Sequence, residues 1–256
     1  MVSPPEIHLK TLNVTKRFGG LVAVNKVSVS IPKGSLTLLI GPNGCGKTTL
    51  VNTITGIYKP DEGKVYFNNE DITGLPSDQV YRRGLVRTFQ IPSPFTKLSV
   101  LDNLLVAARG NLGEKFRYHL FKKAWWSYEK KALEKAFEVM RILNLDKYWD
   151  REVSELDAGA LKLIEIGRAL MSDAQMIILD EPIAGVNPKL AHSIFSHIVN
   201  VRNELGITFL IIEHRLDIAL KYADYVYVMN QGLIISSGTP SEIVKDEKVR
   251  AVYLGR

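Results

Sequence analysis

The nine residues from Gly41 to Thr49, GPNGCGKTT, decide the fold class of this chain. They fit the pattern G-x-x-x-x-G-K-[ST], in which glycines let successive backbone N–H groups curl around a phosphate. Lys47 is placed to reach the terminal phosphates and Thr48 to bind Mg²⁺. The apolar run SLTLLI leads into the loop and the helical pattern TTLVNTITGI leads out of it. This context predicts a phosphate-binding loop whose contact residues are Gly41, Pro42, Asn43, Gly44, Cys45, Gly46, Lys47, Thr48 and Thr49.

A second motif, MIILDEP, ends a short apolar run with two acids. Asp180 can hold the Mg²⁺ shell, and Glu181 can polarise an attacking water. A buried strand that ends in solvated acids is the plain alternative, but its pairing with the glycine loop favours hydrolysis of a nucleoside triphosphate. The one Asn-Lys pair, at positions 25 and 26, is followed by Val-Ser, so the guanine-recognition pattern Asn-Lys-x-Asp of GTPases is missing.

The order of patterns along the chain predicts an α/β domain with a helical insertion. The first 75 residues alternate β-rich runs with Gly, Pro and Asn turns, and residues 98–145 turn helical. The runs MIILDEP and ITFLIIEH then alternate with helices, and continuous apolar runs of this kind are typical of strands covered on both faces of a parallel sheet. The tail YVYVMNQGLIISSG predicts a hairpin around Asn-Gln-Gly.

Bulk composition limits the classes of protein to which the chain can belong. An apolar share of 46% and a charged share of 23% are ordinary for a globular protein. No apolar run approaches the roughly 20 residues that cross a bilayer, and the start, MVSPPEIHLK, lacks the apolar core of a secretory signal. The single cysteine, Cys45, excludes an internal disulfide. We therefore expect a cytosolic chain. Because Cys45 lies inside the predicted phosphate loop, we also expect a reagent on its thiol to block nucleotide binding and bound nucleotide to protect the thiol.

Taken in order, the motifs resemble those of the ATP-binding subunits of ABC transporters over essentially the whole chain. Gly41–Thr49 matches the Walker A loop, and Gln175–Glu181 matches Walker B with its catalytic glutamate. Phe18 stands where the family places a ring that stacks on adenine, and Gln90, in RTFQ, matches the Q-loop glutamine. His214, after ITFLIIE, matches the switch histidine that touches the γ-phosphate. Each single residue has a plain alternative (a core ring, a surface polar group, a core histidine), but five matches in order make the resemblance specific.

The resemblance implies a fold and a set of roles. The fold is a P-loop (RecA-like) parallel-sheet core with an N-terminal antiparallel β subdomain and an inserted helical subdomain. Residues 1–256 form a single ABC ATPase domain, in which 1–91 and 161–256 are the core with the β subdomain and 92–160 are the helical subdomain. The implied cofactors are ATP and Mg²⁺. The implied catalytic residues are Glu181, His214 and Gln90, and the implied Mg²⁺ ligands are Thr48, Gln90 and Asp180.

The family signature, Leu-Ser-Gly-Gly-Gln, is present in altered form. Counting back from the Arg-Ala-Leu at 168–170 places Leu156, Asp157, Ala158, Gly159 and Ala160 on its five positions, and only Leu156 and Gly159 match. The next loop also departs, because AGVN stands where the family often has Ser-Ala-Leu-Asp. We expect altered contacts with the ATP of a partner subunit and an unchanged fold.

Within the family, GLVRTFQ, DEPIAGVNP and ITFLIIEHRLDI resemble the ATPases of branched-chain amino-acid importers. This implies a peripheral ATPase at the cytoplasmic face of the cell membrane. Its implied partners are integral-membrane permease subunits, a second ABC ATPase subunit, identical or different, and indirectly a substrate-binding protein. Other cargo (urea, short amides) and a non-hydrolysing regulatory role remain open. A soluble ABC-type ATPase acting on nucleic acid or ribosomes is disfavoured by the single cassette and the single cysteine.

The net charge of +6 is concentrated in residues 111–135. This segment holds seven Lys or Arg and three Glu, with aromatic residues interleaved. It can be a solvated helix face or a surface near the cytoplasmic leaflet and the permease loops. Nucleic-acid binding is the least favoured interpretation, because no recognition motif accompanies the charge, and no nucleic-acid partner is expected.

Overall fold

The computed structural model describes residues 5–88, 94–110 and 122–254. Contacts divide the chain into two compact units, Met1–Gln90 with Gln175–Arg256, and Ile91–Ala174. The strands of the described ranges are β1 (Ile7–Phe18), β2 (Leu21–Val27), β3 (Ser30–Pro32), β4 (Leu36–Ile40), β5 (Glu62–Phe67), β6 (Glu70–Asp71), β7 (Leu85–Arg87), β8 (Met176–Asp180), β9 (Thr208–Ile212), β10 (Tyr225–Asn230) and β11 (Leu233–Gly238). The α-helices are α1 (Lys47–Ile54), α2 (Ser77–Arg82), α3 (Val100–Leu105), α4 (Lys122–Ile142), α5 (Ala158–Met171), α6 (Pro188–Leu205), α7 (Leu216–Ala219), α8 (Pro240–Lys245) and α9 (Glu247–Leu254).

The first unit begins with an antiparallel sheet. Strand β1 is its centre and pairs antiparallel with β2, β3 and β5, and β6 extends the sheet beyond β5. Apolar side chains such as Leu9, Val14 and Val65 are buried, whereas charged neighbours remain outside, as expected for a sheet with one covered face. The predicted N-terminal antiparallel β subdomain is confirmed.

The second sheet of the first unit has the order β11-β10-β4-β9-β8-β7. The pairs β10–β4, β4–β9, β9–β8 and β8–β7 are parallel, and only β11 joins in the antiparallel sense. All five residues of β8 and of β9 are buried, which confirms the prediction made from their continuous apolar runs, and all five residues of β4 are buried as well. Their carboxyl ends meet at one edge of the sheet, where ligands of open α/β sheets bind.

The predicted hairpin near the end of the chain is β10–β11. Asn230 pairs with Leu233, so the connection has two residues, Gln231 and Gly232. Both have positive φ, 46° and 79°, as a type I′ turn requires. The local turn chemistry therefore sets the pairing next to the turn, and the register shifts once farther along, between Val228 and Met229.

The second unit is helical and packs α3, α4 and α5 against one another. The packing is close at Gly167 of α5, where an added Cβ would lie 2.7 Å from a methyl of Leu104 and 3.2 Å from one of Leu143. The whole of α5 belongs to this unit, which extends to Ala174. The subdomain boundary drawn from the sequence after Ala160 would therefore cut a continuous helix.

Helix α4, the longest of the described part, carries the later residues of the basic aromatic segment. Residues 111–121 of that segment lie outside the described ranges. Trp126 is 62% exposed, while Lys130 pairs with Glu134 and Lys135 with Asp173. None of the helices in the described ranges combines the length and the apolar character needed to cross a membrane.

Candidate functional site

The loop between β4 and α1 owes its shape to glycines with positive φ. Gly41, Gly44 and Gly46 have φ values of 154°, 75° and 107°. A Cβ on Gly41 would lie 2.1 Å from the Met229 oxygen, and one on Gly46 would lie 2.3 Å from the Ala23 oxygen, so neither position has room for a side chain. Helix α1 begins after Gly46 without a side-chain cap, which leaves its first N–H groups available to an anion.

Lys47 is held inside this loop. Its side chain is buried, and Nζ donates to the backbone oxygens of Gly41, at 2.8 Å, and Pro42, at 3.0 Å. These acceptors are neutral, so they satisfy hydrogen bonds of the ammonium without cancelling its charge. A buried cation in this setting gains from an incoming phosphate.

A cavity of about 580 Å³ lies over the loop in the first unit. It brings together nine of the residues expected to form the chain's own nucleotide site, which are Phe18, Asn43, Gly44, Gly46, Lys47, Thr48, Thr49, Glu181 and His214. It also includes residues that sequence reasoning missed, namely Leu21, Val22, Ala23, Ile212, Gln231 and Gly232. A cavity of similar volume, about 520 Å³, lies against α4 in the second unit, and its lining contains none of the predicted site residues.

Glu181 and His214 meet at the carboxyl ends of the neighbouring strands β8 and β9. The distance between His214 Nε2 and Glu181 Oε1 is 2.7 Å. Glu181 adopts a φ of 51°, and its backbone N–H donates to the Ile212 oxygen at 2.9 Å. The backbone N–H of Glu181 is thus held by Ile212, and its carboxylate is oriented by His214.

Glu213, which sequence reasoning missed, supports this arrangement. It is 2% exposed, and its carboxylate accepts from the backbone N–H groups of Ile183 and His214, both at 3.1 Å. Burial raises the pKa of Glu213, and the backbone hydrogen bonds oppose that shift. The side chain therefore ties the segment after Glu181 to the segment that carries the histidine. The sequence did contain a signal for Glu213, which is an acid directly after an apolar strand, but the family motif drew attention only to the adjacent His214.

Asp180 ends β8 as predicted, but it is paired. Its Oδ2 accepts from Arg87 at 2.7 Å, and both side chains are 10% exposed. The same guanidinium donates to Asn52 of α1. Arg87 belongs to β7, a three-residue strand that the sequence did not predict.

Phe18 lies at the end of β1, on the rim of the cavity. Its ring is 41% exposed and packs edge-on against Tyr58, with 5.2 Å between centroids. Lys16 Nζ lies 5.5 Å from the ring centroid. The ring is thus partly accessible at the rim of the cavity, and its stacking on adenine stays a prediction.

Cys45 differs from the expectation that its thiol faces the ligand. The residue is 4% exposed, belongs to the hydrophobic core of the first unit and does not line the cavity. Its small side chain instead fills space under the loop, where the sulfur would lie 2.8 Å from a Cβ on Gly41.

We expect the Cys45 thiol to react slowly with Ellman's reagent in the folded protein and rapidly after denaturation, because the fold itself covers the sulfur. The reaction is followed by absorbance with and without MgATP, and free cysteine serves as the rate standard. A rate close to that of free cysteine, slowed by MgATP, would show that the thiol faces the nucleotide after all.

The altered signature begins α5 in the second unit. Asp157 is the N-cap of this helix, and its Oδ1 accepts from the backbone N–H of Ala160 at 2.8 Å. Asp157 and Ala158 are exposed, whereas Gly159 and Ala160 are buried. Asn187, in the other departure from the family pattern, caps α6 by accepting from Leu190 N at 2.9 Å. Gln90 lies outside the described residues, so its predicted role stays a prediction.

Two family models match the chain. The model described as ABC transporter matches residues 24–184, and the model described as branched-chain amino acid ATP-binding cassette transporter matches residues 234–256. The first match spans the glycine loop and both acids of MIILDEP. The second covers nearly all of β11 and the two helices that follow it.

Curated relatives extend the similarity along nearly the whole chain. A probable branched-chain amino acid transport ATP-binding protein LivG of Archaeoglobus fulgidus is 50% identical over 247 residues, 96% of this chain and 95% of the relative. A protein of the same description from Methanocaldococcus jannaschii is 50% identical over 251 residues, 96% of this chain and 97% of the relative. The high-affinity branched-chain amino acid transport ATP-binding protein BraF of Pseudomonas aeruginosa is 38% identical over 96% of this chain and 97% of its own length.

Solved structures agree with the fold. A nucleotide-free ATP-binding cassette from an ABC transporter superposes with a TM-score of 0.83 at 48% identity, covering 98% of this chain and 100% of that chain. A cassette of an ABC transporter in its ADP conformation gives the same TM-score at 46% identity, with 98% and 99% covered.

Proposed function

The chain belongs to the ABC transporter family of ATP-binding subunits, and we propose that the import which its ATP hydrolysis drives is that of branched-chain amino acids. The cargo follows from the 50% identity to two proteins described as branched-chain amino acid transport ATP-binding proteins, each covered almost completely. The match of residues 234–256 to a model specific for such transporters supports the same cargo.

One observation carries the assignment of the ATP site. The cavity over the glycine loop is lined by Lys47 and Thr48 together with Glu181 and His214. The loop and the buried ammonium of Lys47 would hold the phosphates, and Phe18 at the rim would take the adenine. These residues thus surround the space in which a terminal phosphate and its attacking water would lie.

Mg²⁺ fits this donor set. Mg²⁺ prefers oxygen ligands and is usually bound by one or two carboxylates or hydroxyls together with substrate phosphates. Thr48 and Asp180 would supply such oxygens, with Gln90 as the third expected ligand. Bound there, Mg²⁺ would offset phosphate charge.

The catalytic step falls to Glu181 and His214. Glu181 would accept a hydrogen bond from the attacking water through its carboxylate, and so orient and polarise that water. His214 would hold the carboxylate in place and reach the terminal phosphate from the neighbouring strand. Glu213 would keep both in register by binding the backbone on either side.

ATP-binding subunits of this family work with membrane permease subunits and dimerise. We propose that this chain lies at the cytoplasmic face of the membrane as one of two ATPases that close on ATP and move a permease between conformations. A substrate-binding protein would act on the same permease from the other side.

The cargo is tested by ATP hydrolysis in the assembled transporter. The chain is purified from detergent extract with its membrane partners, reconstituted, and assayed with leucine, urea, acetamide or RNA in the presence of the matching binding protein. Stimulation by leucine alone is expected. Stimulation of ATP hydrolysis by urea or acetamide would assign that compound as the cargo instead. Purification of the chain without membrane partners, together with stimulation by RNA, would favour a soluble ATPase.

A further inference from the structure

Arg87 occupies an unusual place for a cation. Its guanidinium is 10% exposed and is shared between the carboxylate of Asp180 and the side-chain oxygen of Asn52. The buried Nε has no hydrogen-bond partner among the described residues, so these two acceptors dictate the orientation of the group. The contacts join β7 to β8 and to α1. Arg87 is 93 residues from Asp180 and 35 residues from Asn52 along the chain.

This bridge places the Asp180 carboxylate beside the phosphate-binding helix. Asn52 follows Thr48 by four residues in α1, so the two side chains lie on the same face of the helix, one turn apart. Since Arg87 holds Asn52 and Asp180 together, the acid at the end of β8 lies near the helix face that also carries Thr48. Thr48 lines the cavity, as does Glu181, the next residue after Asp180.

The charge of Asp180 has opposite effects on the two components of MgATP. A carboxylate near the phosphates attracts a divalent cation and repels the highly negative nucleotide. Arg87 compensates this charge at a distance of 2.7 Å in a buried setting, where solvent screens little.

We propose that Arg87 is a positioning residue that neutralises Asp180 and thereby allows the cassette to bind ATP without Mg²⁺. The inference rests on the proposed function, because it requires the phosphates to bind at the Gly41–Thr49 loop. Affinity for metal-free ATP then follows the net charge of the pair, which is zero in the parent, −1 in Arg87→Gln, +1 in Asp180→Asn and zero again in the double variant.

The test is a set of dissociation constants for ATP in excess EDTA, measured by displacement of a fluorescent ribose-labelled ATP. We expect Arg87→Gln to bind metal-free ATP about tenfold more weakly than the parent, Asp180→Asn about tenfold more tightly, and the double variant like the parent. Arg87→Lys keeps the charge and should also stay close to the parent. Arg82→Gln removes an exposed cation of α2 and serves as the matched control.

The same titrations in excess Mg²⁺ separate charge compensation from a merely structural role. Arg87→Gln should lose less affinity for MgATP than for metal-free ATP, because the uncovered carboxylate attracts the cation. Equal losses under both conditions would overturn the proposal. If Arg87→Gln does not fold, Asp180→Asn and the double variant decide, since equal metal-free affinities for those two would also overturn it. A parent that binds neither form would instead contradict the proposed ATP site.

Discussion

Glu181→Gln is expected to bind ATP like the parent and to lose about 10²–10⁴-fold in turnover, the usual cost of removing a general base. The amide keeps the size of the side chain and one oxygen that can accept from His214 Nε2, at the 2.7 Å that the carboxylate now occupies. It lacks the negative charge that polarises the attacking water. Asp180 and Lys47 are unchanged, so the phosphates remain bound.

The measurement pairs steady-state phosphate release with nucleotide affinity. Glu204→Gln, which changes an exposed acid of α6, is the control for the loss of one negative charge in the same unit. Turnover at the parent rate would remove Glu181 from the mechanism. A parallel loss of ATP affinity would assign it to binding instead.

The second large effect concerns Asp157, the residue in place of the signature serine. In the family this segment faces the γ-phosphate bound by the partner subunit, and its serine donates a hydroxyl while the helix dipole favours the anion. Asp157 instead uses Oδ1 to cap its own helix, accepting from Ala160 N at 2.8 Å. The cap stabilises α5 by about 1 kcal/mol. A carboxylate at about 4 Å from a phosphate charge, at an effective dielectric near 20, costs roughly 4 kcal/mol.

The repulsion outweighs the cap, so a homodimer of this chain should close weakly on ATP. Asp157→Ser, combined with Ala158→Gly, should strengthen ATP-driven dimerisation of the Glu181→Gln variant by up to about a thousandfold in the dissociation constant for each of the two composite sites, measured by size exclusion across a dilution series. Serine caps helices about as well as aspartate, so the stability of α5 is preserved. Ala160 is left unchanged in this variant, because it is buried and the longer glutamine of the family signature would overpack the site.

Asp157→Asn is the matched control, because it removes the charge, keeps the cap and adds no hydroxyl. It should recover part of the affinity. If the unrepaired Glu181→Gln chain already dimerises as tightly as the repaired one, Asp157 is a harmless cap. Full ATPase activity of a heterodimer with a different ATPase that carries an intact signature would show that this chain's own Gly41–Thr49 site is competent.

Several features were predictable from the sequence because the forces that create them act over a few residues. The glycine loop needs positive φ at fixed offsets, and the observed φ values of Gly41 and Gly46 follow from that need. The continuous apolar runs of β8 and β9 predicted strands buried on both faces, and Asn-Gln-Gly predicted the hairpin. The cap by Asp157 is equally local, since donor and acceptor are three residues apart.

The tertiary structure alone decided which side chains meet across the sheet. Arg87 reaches Asp180 over 93 residues, and Glu213 reaches Ile183 over 30, through a parallel register that no local pattern encodes. Strand β7 has only three residues and forms because β8 offers it a free edge. Burial strengthens these contacts, because a charged group that is removed from water is destabilising unless it pairs with another group of the protein. For that reason the acids and the phosphate loop could be predicted from the sequence, whereas their contact partners were determined by the packing of the sheet.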